Sequence, residues 1–385
     1  MAARYHEPGT VPAKVLHFVP PHCPNPECEH HLDLEPVRGW YYSRGLRRVR
    51  RKPGVVAQFS CRSCGRWFRS SAFGPDYWKK LPGLQHKIYN QKANGCGQRQ
   101  CARVLGVSLT TVRRRTRELA RQCLLYYLVQ RQRLEQRLDE PVAVDGLRDY
   151  AGSQYEPLDL HTPIATKSGF LLDLNLAPLR RSGTMTARQK VVREERDQRL
   201  GRPEARAREK RAAEIFRRLD RLFPADRPWT LVTDEEPDYA RALAALPPGR
   251  VEHKTVSSRA RRDARNPLRA VNALHGYMRH AMRDVVRETV AFAKTAVGLL
   301  DRAWIFLVIR NNTKGLSERT AEQSRRTPAM VLGLARRPLH GRALFARRLF
   351  PRRVGLPPEL ESAYRGTLRA RPNENVKPYI YRFVT

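Results

Sequence analysis

The sequence predicts a modular α/β protein, with a mixed sheet and flanking helices preceded by a cysteine-rich module and a short helical domain. Three observations carry this. Two cysteine pairs, Cys23/Cys28 and Cys61/Cys64, sit in an N-terminal stretch rich in Pro, Gly and aromatic residues. Residues 85–135 read as helices. From Pro141 the pattern changes to short β-type runs interrupted by helical ones, which is the alternation expected of an α/β sheet.

A chain of 385 residues, 41% hydrophobic, is long enough for two or three domains, one with a sizeable core. The formal charge of +37, from 74 basic against 37 acidic residues, points to a polyanionic partner. A basic ribosomal or chromatin protein would share that charge. Membrane-surface binding fits less well, because the basic residues are spread along the whole chain. No apolar run reaches the roughly 18 residues of a transmembrane helix, and MAARYHEPGTVPAKVLHF lacks the apolar core of a signal peptide. The expected location is therefore the cytoplasm, in association with the nucleoid. In that reducing compartment the seven cysteines read as metal ligands or buried thiols.

Cys23-x4-Cys28 and Cys61-x2-Cys64 form two knuckles, each able to point two thiolates at one ion. Zn²⁺ takes four such ligands in a tetrahedron. The expected module is a structural zinc ribbon over 1–82, its four positions filled and so without chemistry of its own. His22, His30 and His31 lie close enough to replace one ligand, although four cysteines are simpler. Cys96 and Cys101, without a second pair, read as buried thiols.

Gln98–Val107 followed by Ser108–Leu119 reads as a helix-turn-helix within a domain over 85–138. Gly106 suits the turn and Ser108 can cap the second helix. Val112 faces the core, while Thr110, Thr111, Arg113, Arg114 and Arg117 are expected outward, as on a recognition helix in a major groove. A basic surface helix pair is the alternative.

A third domain is expected over 140–315. Pro141–Leu147, His161–Lys167 and Gly169–Pro178 read as strands. In the last, Leu172, Leu174 and Leu176 alternate with Asp173 and Asn175, the signature of one buried face. A charged helical stretch over 184–223 is broken at Gly201 and Pro203. Trp229–Glu235, a short helix from Asp238 and a strand Val251–Val256 follow. A long helix is expected from Asn266-Pro267 to about Lys294, then an apolar helix over Ala296–Arg310. Three strands, a helix, a strand, a helix and a strand is the order of a ribonuclease-H-like mixed sheet, in which the first and fourth strands are parallel neighbours. Asp145 and Asp234, each at the end of an apolar strand, would then meet at one end of the sheet. Two carboxylates at one point repel unless a cation lies between them, and oxygen ligands suit Mg²⁺ or Mn²⁺. The remaining residues, 316–385, read as a basic C-terminal tail.

The order of these features resembles the DDE-type transposases of bacterial and archaeal insertion sequences. The features are the cysteine knuckles, the helix-turn-helix, AVDGLRDY, LVTDEEPDY, NPLRAVNALHGYMRHAMRD and RETVAFAK, spanning about residues 20–315. The resemblance implies metal-dependent cleavage and joining of double-stranded DNA, at element ends and at the target, by a homo-oligomer assembled on DNA. Asp145 and Asp234 match the first two metal-binding acids of that family. At the third position the family motif often carries an acid, whereas this chain has His275. A neutral imidazole could ligate a metal, although Mg²⁺ prefers oxygen. Glu288 lies roughly 20 Å further along the expected helix, and Asn272 one turn before His275. Arg279 and Arg283, one turn apart on that helix, are candidates to hold phosphates of the scissile strand. A DNA-binding regulator, or a catalytically dead copy, would keep the ribbon and helix-turn-helix without needing either Asp. A structural RNA-binding protein would need neither the helix-turn-helix nor the paired acids.

Overall fold

The computed structural model describes residues 13–33, 39–49, 54–257, 259–286, 292–368 and 371. The chain divides into two compact units. The first gathers residues 1–83 and Phe345–Leu356; the second gathers Leu84–Leu344 and Pro357–Val384.

In the first unit a helical turn α1 (Ala13–Leu16) precedes an antiparallel sheet of β1 (Tyr41–Arg48), β2 (Val55–Cys61) and β3 (Trp67–Arg69), with β2 in the middle. A sheet this small buries little aliphatic surface, and its core is aromatic. Trp40, Phe59, Phe68 and Phe73 are buried around the cysteines, with Trp40 stacked on Phe68 at 5.8 Å between centroids. Phe350 completes that core from far along the chain. Its ring meets His22 edge-on at 4.8 Å, and the Arg348 backbone N–H donates to the Phe73 carbonyl at 2.9 Å. This part of the expected C-terminal tail therefore packs as an element of the cysteine-rich unit.

The second unit opens with α2 (Leu84–Ala93), α3 (Gln98–Leu105) and α4 (Leu109–Gln132). Gly106 takes the left-handed conformation (φ 61°) between α3 and α4, and the Ser108 hydroxyl accepts from Thr111 N–H at 3.1 Å as the N-cap of α4. The second helix runs to Gln132, well past the expected end at Leu119, because Leu119, Leu124, Leu125, Tyr127 and Leu128 continue its buried face. That face packs on α9 (Ala296–Asn312), an apolar helix buried over most of its length.

Between these helices lie β4 (Val142–Ala143), β5 (Gly146–Tyr150), β6 (Pro157–His161), β7 (Ile164–Ala165) and β8 (Asn175–Pro178). Helices α5 (Ala187–Leu200) and α6 (Ala207–Asp220) follow, then β9 (Trp229–Asp234), α7 (Pro237–Ala242), β10 (Val251–Val256) and α8 (Arg269–Ala281). β10-β9-β4-β7 form one ladder and β5-β6-β8 another. The two share one antiparallel register, since Ala143 faces Ile164 and Gly146 faces His161. Between those pairs, the Thr162 N–H donates to the Asp145 carbonyl at 3.1 Å. The first two sheet strands are thus β4–β5 and β6–β7, each interrupted at the level of Asp145. β9 runs parallel to both β4 and β10.

Two expected elements need correction. The run Leu171–Ala177 is buried on both faces; Asp173, expected toward solvent, pairs with Arg218 of α6 at 2.7 Å, both side chains almost wholly buried. The long helix ends at Ala281, where Met282 turns extended (φ −118°, ψ 94°) and a 3-10 turn, Arg283–Val285, follows. Short helices α10 (Ala321–Arg325), α11 (Pro328–Val331) and α12 (Gly341–Leu344), then α13 (Pro358–Arg365), complete the unit.

Candidate active site and metal centre

In the first unit the four cysteines converge. Cys23 Sγ stands 3.7 Å from Cys64 Sγ, and Cys28 Sγ 3.7 Å from Cys61 Sγ. All four sulfurs lie within 4.8 Å of one another. A tetrahedral ion with arms of about 2.3 Å sets its sulfurs roughly 3.8 Å apart, so the spacing fits zinc. Burial, and then the hydrogen bond with Cys61, push the Cys28 thiol up to about 11; a cation among the sulfurs would reverse that cost. Of the neighbouring histidines, His30 contacts the Asp33 and Ser63 side chains, and the other two act on the backbone. His22 Nδ1 and His31 Nδ1 both contact the Cys23 carbonyl, at 2.9 and 2.8 Å. Cys101 is buried and Cys96 half-buried, outside any such group.

In the second unit the parallel register places Ala143 opposite Val232. Two residues on, Asp145 and Asp234 leave the same end of adjacent strands. Burial first, then Asp234, push the Asp145 carboxyl up to about 6, against a hydrogen bond from Gly146 N–H at 2.7 Å. Asp234 is also raised, by burial, although it accepts from Glu236 N–H at 3.2 Å. Beneath them on β6 lies Asp159, a buried acid that the sequence pattern alone did not single out. Arg208 of α6 donates to it at 2.7 Å, and His161 Nε2 stands 3.7 Å away. A Cβ at Gly146 would fall 2.2 Å from Asp159 Oδ1. The alternation of Asp159 and His161 along LDLHT was the signal that could have placed them on one face.

His275, on α8, is buried and reaches this end of the sheet. Its Nδ1 stands 3.7 Å from Asp145 Oδ2 and its Nε2 2.8 Å from Thr162 Oγ1. Burial, and then Arg279, hold its pKa down at about 4, so the ring is neutral at physiological pH. Asp145, Arg148, Arg262, Asn272, His275 and Arg279 line a cavity of about 620 Å³. Asn272 thus shares the cavity, while Glu288 lies outside the described residues. Among the described residues only the cysteines bring three or more potential metal ligands within 4.8 Å of one another. Asp145, Asp234 and His275 stand more openly.

The helix-turn-helix residues divide. Thr110, Arg113 and Arg114 are exposed and Thr111 half-buried. Arg117, expected outward, is buried. It pairs with Asp301 of α9 and donates to the Ala363 and Tyr364 carbonyls, at 2.9 and 3.2 Å. Arg113 and Arg114 line a second cavity, of about 2230 Å³, with Arg99, Arg283 and Lys314. Arg279 and Arg283 do not share a helix face as expected. Arg279 stays on α8 at the smaller cavity, and Arg283 sits on the 3-10 turn at the larger one.

No family model matches the sequence, and no curated protein does. Among solved structures, the chain is similar to a chain of the cryo-EM structure of the simian T-cell lymphotropic virus intasome in complex with PP2A regulatory subunit B56 gamma. That match has 12% identity and a TM-score of 0.26, over 66% of this chain and 77% of that one. A TM-score this low carries no argument about this chain.

Proposed function

We propose that this chain is a transposase, a phosphoryl-transfer enzyme that cuts and joins double-stranded DNA at a ribonuclease-H-like sheet. The observation that carries the reading is the pairing of Asp145 and Asp234 at one end of two parallel strands, with His275 turned toward Asp145. The sheet order β8, then β6–β7, then β4–β5, then β9 and β10 is the order that fold requires. Zinc held by Cys23, Cys28, Cys61 and Cys64 would brace the ribbon.

The donor set suits a divalent ion. Two carboxylates and an imidazole stand at one end of the sheet, where burial raises both carboxyls and Asp234 raises Asp145 further, and a cation relieves both effects. The open spacing is compatible with Mg²⁺ or Mn²⁺, because such ions keep several waters and touch only one or two carboxylates. A bound divalent ion would supply neutralisation of charge on the attacking and leaving phosphate oxygens. The protein's own part is placement. Asp145 and Asp234 hold fixed positions at the strand ends. Arg148, Arg262 and Arg279 stand around the cavity to take phosphates. Arg99, Arg113, Arg114, Arg283 and Lys314 give the larger cavity a cationic lining suited to more of the DNA, with Thr110 and Thr111 at the N-terminal turn of α4. Assembly as a homo-oligomer on DNA belongs to the same reading.

The test is cleavage and joining of labelled element-end DNA in Mg²⁺ or Mn²⁺. Asp145→Asn and Asp234→Asn should each abolish both steps, by a factor of about a hundred or more, and leave DNA binding close to wild type. Asn keeps the shape and loses the charge. If the wild-type chain binds the ends and neither cuts nor joins them, the protein is a DNA-binding regulator.

A further inference from the structure

The three-stranded sheet of the first unit buries one face and leaves the other open. Successive residues of a strand point to opposite faces. Phe59 and Phe68, paired across β2 and β3, belong to the aromatic core. The next row is Tyr42 on β1, Ser60 on β2 and Trp67 on β3, paired in register across the whole sheet. Its rings point away from the core, Tyr42 being 47% exposed and Trp67 58%. Arg44 ties the two rings together. Its Nε donates to Ser60 Oγ at 2.9 Å, and its guanidinium carbon lies 5.0 Å from the Tyr42 ring centre and 5.1 Å from that of Trp67. The guanidinium of Arg62, from the second cysteine knuckle, lies 4.4 Å from the Tyr42 ring centre. A single exposed aromatic residue needs no explanation, but a row of rings and guanidinia set in order by a backbone ladder does. Charge narrows the explanation. From Gly39 to Pro75 the sequence holds nine Arg or Lys residues and no Asp or Glu, and Arg66 and Arg69, on either side of Trp67, are exposed.

We propose that this open face is a platform for single-stranded DNA, with unpaired bases stacked on the Tyr42, Trp67 and guanidinium planes and phosphates held by Arg66 and Arg69. An acidic protein segment would use the charges and leave the flat rings without a match. A duplex would use the charges too, but its bases are stacked on one another and show only their edges in the grooves. An unpaired strand offers a π-face and a phosphate at every step. Aromatic side chains beside a cationic track hold such strands with little regard to sequence, and arginine planes stack bases as well. The face owes nothing to Asp145 or Asp234. Only the choice of DNA over RNA rests on the transposase reading.

The experiment uses the full-length, zinc-loaded chain. The probe is a fluorescein-labelled oligothymidylate of about twelve nucleotides, with a duplex of equal length in parallel, and fluorescence anisotropy gives both Kd values. Trp67→Ala and Tyr42→Ala should each weaken single-strand binding about tenfold and leave duplex binding within about twofold of wild type. Trp67→Phe keeps a ring and should retain most of the affinity, which separates stacking from a folding defect. Arg66→Ala/Arg69→Ala should weaken strand and duplex alike and flatten the salt dependence of both. Zinc content and a thermal melt confirm that each variant is folded. If Trp67→Ala and Tyr42→Ala leave single-strand binding unchanged, or weaken strand and duplex equally, the inference falls. It falls also if Trp67→Phe binds the strand as weakly as Trp67→Ala. If oligouridylate binds more tightly than oligothymidylate in a Trp67-dependent way, the partner is RNA and the proposal is overturned. Wild-type chain that holds the strand through Trp67 and neither cuts nor joins element ends loses the transposase reading and keeps the platform.

Discussion

Asp145 is a residue whose placement weakens the fold when no cation is present. Its carboxyl is pushed up to about 6 by burial and by Asp234. A carboxyl with a raised folded-state pKa contributes stability that is fully present below its unfolded value, near pH 4, and lost as pH rises through about 6. A rise of that size corresponds to about 3 kcal/mol. The side chain is 28% exposed, and solvent screening lowers this to about 1–2 kcal/mol. In chelator, Asp145→Asn should therefore be more stable than wild type by that amount at pH 7.5 and equal to it near pH 4. Denaturant unfolding at both values measures this. An Asn variant less stable than wild type at pH 7.5 would show that the Gly146 hydrogen bond outweighs the burial cost. Excess Mn²⁺ should reverse the order, because only the wild type gains a ligand-bound folded state. A residue that costs stability in the empty site and recovers it on binding is what a functional acid should look like.

At the scale of elements, the sequence shows what repeats along a chain and misses what another segment covers. The strand-end positions of Asp145 and Asp234 were legible because the apolar runs of VAVDG and TLVTDE stop at each of them. Val112 and Gly106 were legible for the same local reason. Arg117 was not. It follows Arg113 by one helical turn and should share its outward face, yet α9 and the α13 carbonyls close over it. The end of α8 was equally hidden, because Met278, Met282 and Val285 continue a helical spacing and all three are buried, although the backbone has left the helix by Met282. This division has a consequence for α4. Arg117→Ala leaves the buried Asp301 carboxylate without its cation, and burial already raises that carboxyl to about 6. The loss should be about 3–5 kcal/mol, seen as a lower unfolding midpoint, with unchanged discrimination between element-end and random DNA in the folded fraction. Arg113→Ala/Arg114→Ala should do the opposite, with stability within about 0.5 kcal/mol and reduced discrimination in a gel-shift titration. If Arg117→Ala stays fully stable and loses discrimination, α4 presents a different face to DNA.

At the scale of the whole molecule, the chain crosses between its two units three times among the described residues. It leaves the first unit after Gly83, returns at Phe345 and leaves again after Leu356. The first unit has few aliphatic residues to hold it, so the cysteine quartet and the aromatic ring cluster must do so together. Structural zinc is worth about 10–16 kcal/mol in small zinc-finger peptides, comparable to the whole stability of a domain. Phe345–Leu356 depends on the same centre. Phe350 packs on His22 and His31, both of which hold the Cys23 carbonyl, and Arg353 donates to the His31 carbonyl. Removing the ion should release this distant segment along with the knuckles. It carries Arg347, Arg348, Arg352 and Arg353, so limited trypsin digestion reads its release directly. Wild-type protein with zinc should resist cleavage between Phe345 and Leu356. Chelation, or Cys61→Ser/Cys64→Ser, should accelerate cleavage there severalfold or more, because proteolysis follows the population of the open form. Cleavage within α9, buried over most of its length in the second unit, should stay slow over the same interval. Equal rates at 347–353 with and without zinc would mean that Phe350 is held by the aromatic core alone and that the cysteines do not organise this unit.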